Sequence, residues 1–376
     1  GACQLGFIDF DYQLELKRQN IEDTMRKIGG LENEVIMPVK SPEILHYRHK
    51  IQYPVSETKN SKRILAGYFK PKSHEIVNIK YCPVQPAICD EIVEFIREKA
   101  FDYGISGFNE KKHSGDLRHI VLRVSADNGK ILVTLVINST KVFPRLKDFC
   151  EAIFNEFELV TGVCINFNPK KTNVILGDKT ECVAGKDYII ERILGKTFKI
   201  GANTFFQINP KSAENIFAHV KNHIAKNFDC PTILDAYSGV SAFGITVSDV
   251  AKEVVCVEEN REACELAHEI ERENKVKNIE INNMDAEVFF KREKRKFDIV
   301  ILDPPRSGCT EASLDNALKV CAKEIIYVSC NPATLARDLK YLTSKGAKVI
   351  GAIQPFDMFC HTYHIENVAI IKVPSL

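Results

Sequence analysis

The hydrophobic positions of the chain follow two different patterns, which meet near residue 201. Residues 12–28 have the spacing of an amphipathic helix, and Gly29-Gly30 ends that pattern. Residues 44–79 alternate between apolar and polar positions in short runs, broken at Pro54 and Pro71. Such alternation predicts the strands of an antiparallel sheet.

The middle of the chain also combines predicted helices and strands. Further elements are predicted at residues 87–100 (helix), 147–157 (helix) and 162–167 (strand). Residues 117–125 and 131–138 both alternate, and the turn Asp127-Asn128-Gly129 lies between them. A turn of this composition between two alternating segments indicates a β-hairpin. We therefore expect an α+β domain at residues 38–200.

Beyond residue 201, apolar strands alternate with amphipathic helices. The predicted strands are 233–236, 254–257, 279–281, 299–302, 325–328, 348–353 and 368–373. This order is typical of an α/β domain with a mainly parallel sheet and helices on both faces. We assign that domain to residues 201–376. The N-terminal segment 1–37, with its helix, is a candidate to dock on it.

The composition is that of an ordinary folded protein. The 376 residues are 45% hydrophobic and 27% charged, which excludes a disordered chain. No apolar run approaches the ~18 residues that span a bilayer, so no membrane partner is expected. Thirteen cysteines, an odd number scattered along the chain, do not resemble a disulfide framework. These features predict a cytoplasmic protein, and we expect a monomer.

The net charge of +1 conceals a local excess of cations between residues 46 and 80. These cations are Arg48, Lys50, Lys59, Lys62, Arg63, Lys70, Lys72 and Lys80. Tyrosine and phenylalanine side chains lie among them, at Tyr47, Tyr53, Tyr68 and Phe69. Cations for phosphates and rings for stacked bases favour an RNA-binding surface. The alternative is a solvated sheet face, which is the preferred interpretation of the second basic run at 291–296.

Acidic residues follow successive predicted strands of the α/β domain, at Asp235, Glu258, Asp285 and Asp303. The carboxyl ends of parallel strands line the ligand site of such a sheet, where Glu258 could bind both hydroxyls of a ribose. Each acid taken singly is more commonly a helix N-cap. The turn after the first strand keeps only Gly239 and Gly244 of a G-x-G-x-x-G motif. A dinucleotide and S-adenosylmethionine, which carries no phosphate, both remain open on this turn alone.

Cys330 lies where an apolar run gives way to a helical pattern, in the turn Ser329-Cys330-Asn331-Pro332. This places its thiol at the carboxyl end of a strand and near the start of a helix, a position that favours the thiolate. Cysteine is also a common inert core residue, and that interpretation holds for most cysteines of this chain. Core packing does not need this turn chemistry, so a nucleophile is the preferred interpretation.

Four segments, in this order, resemble the signature motifs of the RNA uracil-C5 methyltransferases, which make 5-methyluridine in bacterial ribosomal and transfer RNA. They are Phe205-Phe206-Gln207-Ile208-Asn209, Asp303-Pro304-Pro305-Arg306-Ser307-Gly308, residues 328–338 and residues 357–366. The resemblance also covers residues 47–54 and the whole segment from 201 onward. It implies a class I S-adenosylmethionine-dependent methyltransferase, Rossmann-like, with a seven-stranded sheet and an N-terminal RNA-recognition domain.

The resemblance also implies roles for individual residues. Cys330 matches the nucleophile that adds to C6 of uracil, and Glu366 matches the general base that removes the C5 proton. The positions that match cofactor-binding residues are Gln207, Tyr237, Gly239, Glu258, Asp285 and Asp303. The expected cofactor is S-adenosylmethionine. The expected partner is RNA, with ribosomal RNA favoured over transfer RNA.

Some positions depart from the family pattern. Ser241 and Ala242 replace the usual glycine and its neighbour, Ser238 replaces a common cysteine, and Cys360 replaces a frequent proline.

Many members of the ribosomal branch hold a [4Fe–4S] cluster on four cysteines. Gly1-Ala2-Cys3 and Tyr81-Cys82-Pro83-Val84 resemble parts of that motif, so Cys3 and Cys82 are candidate partial ligands. The other two ligands are not in this chain.

Two alternatives to a ribosomal RNA methyltransferase remain at this stage. One is a transfer RNA uracil-C5 methyltransferase. The other is an RNA-binding or chaperone-like protein on an inactive methyltransferase scaffold. The presence of both Cys330 and Glu366 favours an active enzyme. An amino-group methyltransferase of the same fold is a minor third reading, because such enzymes place an aromatic residue where this chain has Arg306.

Overall fold

The computed structural model describes residues 3–58 and 61–374, which separate into two compact units. The first unit consists of residues 43–192 and 198–210, and the second consists of residues 3–42, 193–197 and 211–374. The N-terminal residues therefore group with the carboxyl-terminal part of the chain, and the first unit is inserted between them. Gly1, Ala2 and Lys59 lie outside the described residues.

Helices and strands are numbered in chain order. The helices are α1 (Phe10–Thr24), α2 (Ala87–Lys99), α3 (Pro144–Glu156), α4 (Pro210–Asn227), α5 (Ala242–Val247), α6 (Arg261–Glu273), α7 (Ala286–Arg292), α8 (Glu311–Val320) and α9 (Pro332–Ser344). The strands are β1 (Lys50–Glu57), β2 (Ile64–Phe69), β3 (Ile76–Asn78), β4 (Leu117–Val124), β5 (Ile131–Ile137), β6 (Val160–Phe167), β7 (Lys179–Gly185), β8 (Tyr188–Ile193), β9 (Lys196–Gly201), β10 (Thr232–Ala236), β11 (Glu253–Glu258), β12 (Ile279–Asn283), β13 (Phe297–Leu302), β14 (Cys321–Ser329), β15 (Lys348–Phe356) and β16 (Glu366–Lys372).

The first unit is built on a mixed sheet in the order β3-β2-β1-β4-β5-β6-β7. Neighbouring strands are antiparallel except for β5 and β6, which are parallel. One face of this sheet, including Ile51 and Tyr53, forms a core with α2 and α3. The predicted hairpin is confirmed as β4 and β5. The predicted break at Pro54 is wrong, because β1 pairs with β4 up to Pro54 and changes to β2 at Val55. A proline without an N–H is tolerated at such an end of a ladder.

The second unit contains the predicted seven-stranded, mainly parallel sheet, in the order β12-β11-β10-β13-β14-β16-β15. Only β16 runs against both of its neighbours among these strands. The α/β fold class is therefore confirmed. Ile21 of α1 and Met25 share a fully buried core with Leu335 and Leu339 of α9. The N-terminal helix ends through a π-helical turn, Met25–Gly29, and Gly30 caps it with a φ of 63°.

Candidate active site

Cys330 and Glu366 lie across from each other at one end of the second unit's sheet. β14 and β16 are antiparallel, and Ser329 pairs with Asn367. The same register places Cys330, one residue past β14, opposite Glu366, the first residue of β16. Directly opposed residues of an antiparallel pair point to the same face of the sheet. The structure therefore brings together two groups that lie 36 residues apart in the sequence.

Both groups hold their protons more tightly than usual. Burial is the main cause for each, and it raises the pKa of Cys330 to about 11 and that of Glu366 to about 8. The charges of Glu366 and Asp303 add to the rise at Cys330, and the Arg306 guanidinium opposes it. Burial therefore opposes the thiolate that the position of Cys330 near the helix start favours. The side chain of Asn331, the N-cap of α9, already accepts the amide hydrogen of Ala333 at 3.1 Å.

The Asp303-Pro304-Pro305-Arg306 loop is held by the first turns of α9. Asn331 Nδ2 donates to the carbonyl oxygen of Arg306 at 3.1 Å, and Arg337 donates to the carbonyl of Ser307 at 2.9 Å. Asp338 accepts from the amide of Cys309 at 2.8 Å. The motif of residues 328–338 therefore also has a structural function, which is to fix the loop that carries Arg306.

Gly308 is required by the geometry of this loop. Its φ is 75°, and a Cβ there would lie 2.6 Å from Arg337 and from Asp338. Both the left-handed backbone and the crowding exclude a side chain. The glycine that closes the Asp303-to-Gly308 motif is thus explained by packing against α9.

Arg306 also contacts the segment before the proposed base. Its guanidinium lies 2.9 Å from Nδ1 of His364, two residues before Glu366. Burial and the Arg306 charge lower the pKa of His364. His364 is therefore neutral at physiological pH and can accept from Arg306. This contact was not predicted from the sequence.

The turn after β10 has the backbone of a ligand loop. Tyr237, Gly239 and Ser241 all have left-handed φ angles, of 66°, 55° and 60°. Non-glycine residues rarely adopt this conformation, so a glycine would fit the position of Ser241 without backbone strain. At Gly239 a Cβ would meet no atom within 4 Å, so this position faces open space.

The acidic residues of the strand ends have different surroundings. Glu258 accepts hydrogen bonds from the amides of Gly239 and Asn260, both at 2.8 Å, and so ties the loop to the strand end. Asp285 is exposed and caps α7 through the amide of Val288 at 3.0 Å, which is the common structural use of an aspartate.

Two further acids are pulled toward the neutral form. Burial raises the pKa of Asp235 to about 8 and that of Asp303 to about 7. Asp235 Oδ1 and Ser238 Oγ are buried without a hydrogen-bond partner in the described part of the chain. Carboxylates beside a cation ionise more readily. The donor set therefore fits S-adenosylmethionine, whose sulfonium is positively charged and whose ribose offers hydroxyls.

Gln207 belongs to the first unit. It is partly exposed, in the segment after β9, and the next residue, Ile208, accepts from the amide of His49 at 2.8 Å. The predicted basic surface is in this unit too, where Lys62, Arg63, Lys72 and Lys80 are exposed. Lys70 forms an ion pair with Glu75.

The segment that leads to Glu366 is anchored by the N-terminal helix. Lys17 of α1 donates to Asp357 at 2.6 Å and to the carbonyl of Phe359 at 3.1 Å. Both members of the Lys17–Asp357 pair are almost completely buried. Gln13 of α1 accepts from the amide of His361 at 3.1 Å. No sequence pattern indicated these contacts, although Lys17 occupies a buried position of an otherwise amphipathic helix.

The iron–sulfur prediction has no support in the described residues. Among them, no group of three or more histidine, cysteine, aspartate or glutamate side chains is arranged to hold a metal. Cys3 belongs to the second unit and Cys82 to the first, where burial raises the pKa of Cys82. Two thiols do not supply the four ligands of a cluster. The assignment of Cys3 and Cys82 stays a prediction.

No helix within the described residues is long and apolar enough to cross a membrane.

Comparisons with known proteins identify the family of the chain. A family model described as tRNA (uracil-5-)-methyltransferase matches residues 9–373. Uncharacterized RNA methyltransferases of Bacillus cereus and Gloeobacter violaceus are each 35% identical to this chain over 99% of its length, covering 81% and 80% of those proteins. The crystal structure of Pyrococcus abyssi tRNA (uracil-54, C5)-methyltransferase in complex with S-adenosyl-L-homocysteine is 31% identical. It superposes with a TM-score of 0.81 over 98% of this chain and 85% of that one.

Proposed function

The chain belongs to the tRNA (uracil-5-)-methyltransferase family and is an S-adenosylmethionine-dependent RNA uracil-C5 methyltransferase, and we propose that Cys330 is its nucleophile and Glu366 its general base. The observation that carries this proposal is the cross-strand placement of the two groups on one face of the sheet. A thiol and a carboxyl there can act on two adjacent carbons of one ring.

The reaction begins at C6 of uracil. Cys330 Sγ forms a bond to C6, and the electrons of the C5=C6 bond move toward C5 and the C4 carbonyl, so that C5 becomes nucleophilic. S-adenosylmethionine supplies the methyl group that C5 takes. Glu366 then removes the proton from C5, the C5=C6 bond re-forms, and the Sγ–C6 bond breaks to release Cys330. A stacked base cannot present C5 and C6 to these groups, so the uridine is flipped out of its helix.

The surroundings of both groups support these roles. A base is most useful when its pKa lies near the working pH, and burial gives Glu366 a pKa of about 8. Arg306 is the cation that favours the thiolate form of Cys330. His364 presents a neutral ring nitrogen to Arg306 and so helps to hold this cation in place.

The cofactor is assigned to the strand ends of the second unit, whereas the assignment of Gln207, in the first unit, rests on the family resemblance alone. Tyr237 and Gly239 shape the open turn after β10, and Glu258 ties this turn to the end of β11. Asp303 follows β13, the neighbour of β10. These positions support their assignment. Asp285 is the weakest member, because its carboxylate already caps α7.

Two RNA classes are candidates for the substrate. Ribosomal RNA is favoured by the likeness of the Cys3 and Cys82 segments to the ribosomal branch. Transfer RNA is favoured by the solved relative, whose name specifies uracil 54 of tRNA. We retain ribosomal RNA as the first candidate and transfer RNA as the second.

The decisive experiment maps 5-methyluridine in both RNA classes from a strain that lacks the gene. Loss of one modified position, restored by the wild-type gene and not by Cys330→Ser, identifies the substrate. Complete retention of 5-methyluridine in ribosomal and transfer RNA would contradict the proposal.

A further inference from the structure

Three cations meet on the first unit's sheet. Lys50 of β1 and Arg123 of β4 are directly paired across the antiparallel ladder. Their side chains therefore leave the same face of the sheet, with Cβ atoms about 4.5–5.5 Å apart. Arg48 joins them, because its Nε donates to the carbonyl oxygen of Lys50 at 3.2 Å. This face is opposite to the one that packs on α2 and α3.

The cluster lacks a counter-charge within the described residues. The Lys50 ammonium makes no hydrogen bond and no ion pair there, and the charges that act on it are those of Arg123 and Arg48. The next residue across the sheet from Arg123 is apolar Leu132. Burial first, and the two guanidinium groups second, lower the pKa of Lys50 to about 7.

Arg123 is fixed in place. It is buried, and it donates to the carbonyl oxygens of Ala202, at 3.4 Å, and Thr204. Its Nε has no partner among the described residues. Like charges directly opposite on a sheet are destabilising, and so is a buried polar group without a partner. The folded protein therefore contains both a pair of opposed like charges and an unpartnered buried polar group at the Lys50–Arg123 pair.

The cluster adjoins the segment that holds Gln207 in the same unit. The amide of His49, between Arg48 and Lys50, donates to the carbonyl of Ile208 at 2.8 Å, one residue after Gln207. Thr204, which Arg123 contacts, begins the same segment. A group bound by the cluster would therefore lie beside Gln207.

We propose that Arg48, Lys50 and Arg123 form a binding site for one backbone phosphate of the RNA substrate. The identification of the ligand as RNA rests on the proposed function. A phosphodiester supplies the missing negative charge and enough oxygen acceptors for the free donors of Arg48 and Lys50. An exposed surface lysine binds phosphate as a permanently charged group, whereas Lys50 gains its full charge only when the phosphate arrives.

The site therefore has a signature that ordinary lysines lack. A bound anion favours the protonated ammonium, so the pKa of Lys50 rises on binding and the protein takes up a proton near pH 8. Binding enthalpies measured in buffers with different ionisation enthalpies report this uptake. A lysine with an ordinary pKa near 10.4 is already charged at pH 8 and takes up none.

The experiment is titration calorimetry with poly(U) in the Cys330→Ser background, so that binding is measured without turnover. Three variants are compared with this parent: Lys50→Met, Lys50→Arg and the control Lys147→Met, an exposed lysine of α3 on the opposite side of the sheet. We expect Lys50→Met to weaken binding roughly tenfold and to flatten the log–log salt dependence by about 0.7. Lys50→Arg should keep the affinity and lose the proton uptake. Lys147→Met should change neither.

Separate titrations with inorganic phosphate and with S-adenosylmethionine distinguish the other anions. Unchanged cofactor affinity in Lys50→Met supports the phosphate site. A loss of cofactor affinity with unchanged poly(U) binding would instead assign the cluster to the cofactor carboxylate and overturn the proposal. If Lys50→Met weakened the affinity for inorganic phosphate and the affinity for poly(U) per site by the same factor, the cluster would be assigned to a free phosphate. Proton uptake that survives in Lys50→Arg would also overturn it. Methylation is not measured, so failure here is separate from failure of the proposed reaction.

Discussion

Asn367 donates from its side-chain amide to the carbonyl oxygen of Ser329 at 3.2 Å, across the pair formed by β14 and β16. Both residues are buried, and each is one position away from a proposed catalytic group. This hydrogen bond supports the ladder at its last pair, where the strands would otherwise fray. Cys330 and Glu366 are therefore each one residue from a paired and hydrogen-bonded position of the ladder.

Replacement of the proposed nucleophile tests the covalent mechanism. We expect Cys330→Ser to abolish methyl transfer, because a hydroxyl at neutral pH is a far poorer nucleophile than a thiolate. Calorimetry should show unchanged S-adenosylmethionine binding. The matched control is Cys230→Ser, which changes an exposed cysteine of the same unit. Near-normal methylation by Cys330→Ser would refute the assignment.

Replacement of the proposed base should trap an intermediate. Without a carboxylate at C5 the methylated adduct cannot eliminate Cys330, so Glu366→Gln should accumulate a covalent enzyme–RNA complex. A denaturing gel would show it as a slowly migrating band that is absent in the Cys330→Ser background. If Glu366→Gln turned over normally without an adduct, another base would have to act, and His364 is the first to test.

The same substitution should change the pH dependence of stability. Folding raises the pKa of Glu366 to about 8, so the folded state binds this proton more tightly than the unfolded state. The bound proton of Glu366 therefore stabilises the folded state. This contribution to the free energy of unfolding is complete below about pH 4 and is lost as the pH rises through 8. We expect the free energy of unfolding of Glu366→Gln to exceed that of the wild type by roughly 2 kcal/mol at pH 8.5, and the gain to shrink toward pH 5.

Urea denaturation at the two pH values measures this difference. Glu259→Gln, at an exposed position of the same unit, is the control and should show no such trend. A gain of equal size at both pH values would mean that Glu366 is not desolvated as the structure indicates.

Loss of the Lys17–Asp357 pair should affect both stability and catalysis. Lys17→Met leaves a buried carboxylate without its cation, which destabilises a protein by about 3–5 kcal/mol. We also expect kcat to fall more than the affinity for RNA, because the segment before Glu366 loses its anchor. Lys17→Met/Asp357→Leu should recover stability without recovering kcat. The control is Lys27→Met, at an exposed lysine of the adjoining turn. Full recovery of kcat in the double variant would limit the pair to a structural role.

The exposed cations of the first unit provide a test of general RNA binding. Lys62 and Arg63 are exposed just before β2. We expect Lys62→Gln/Arg63→Gln to flatten the log–log salt dependence of RNA binding by about 0.7–1.4 and to leave S-adenosylmethionine binding unchanged. An unchanged slope would mean that these residues are ordinary solvated surface.

Periodicity predicted the strands around both proposed catalytic residues, because the spacing of buried positions is a local property of the chain. The motifs identified Cys330 and Glu366, and the cross-strand pairing brings them together. The charge state of Cys330 was not predictable in this way. A helix start stabilises an anion by only about 0.3–1 kcal/mol, and burial outweighs it.

Contacts between segments that are distant in the sequence could not be predicted either. Lys17 and Asp357 are 340 residues apart, and nothing local marks either as a buried ion. The pairing of Lys50 with Arg123 depends on the register of β1 against β4. A shift of one residue would place the two side chains on opposite faces of the sheet. The sequence indicated a basic surface at residues 46–80, but it could not separate its buried members from its exposed ones.

The insertion of the first unit between two parts of the second has a consequence for synthesis. On the ribosome the inserted unit is complete once residue 210 has emerged, whereas α1 must wait for Asp357. At about 5–20 residues per second, the 340 residues between Lys17 and Asp357 take roughly 17–70 s. During that time Leu14, Ile21 and Met25, which are buried in the finished protein, have no native core to join. The N-terminal helix therefore waits for its native partners longer than the inserted unit does, and the catalytic unit cannot close before Asp357 has emerged.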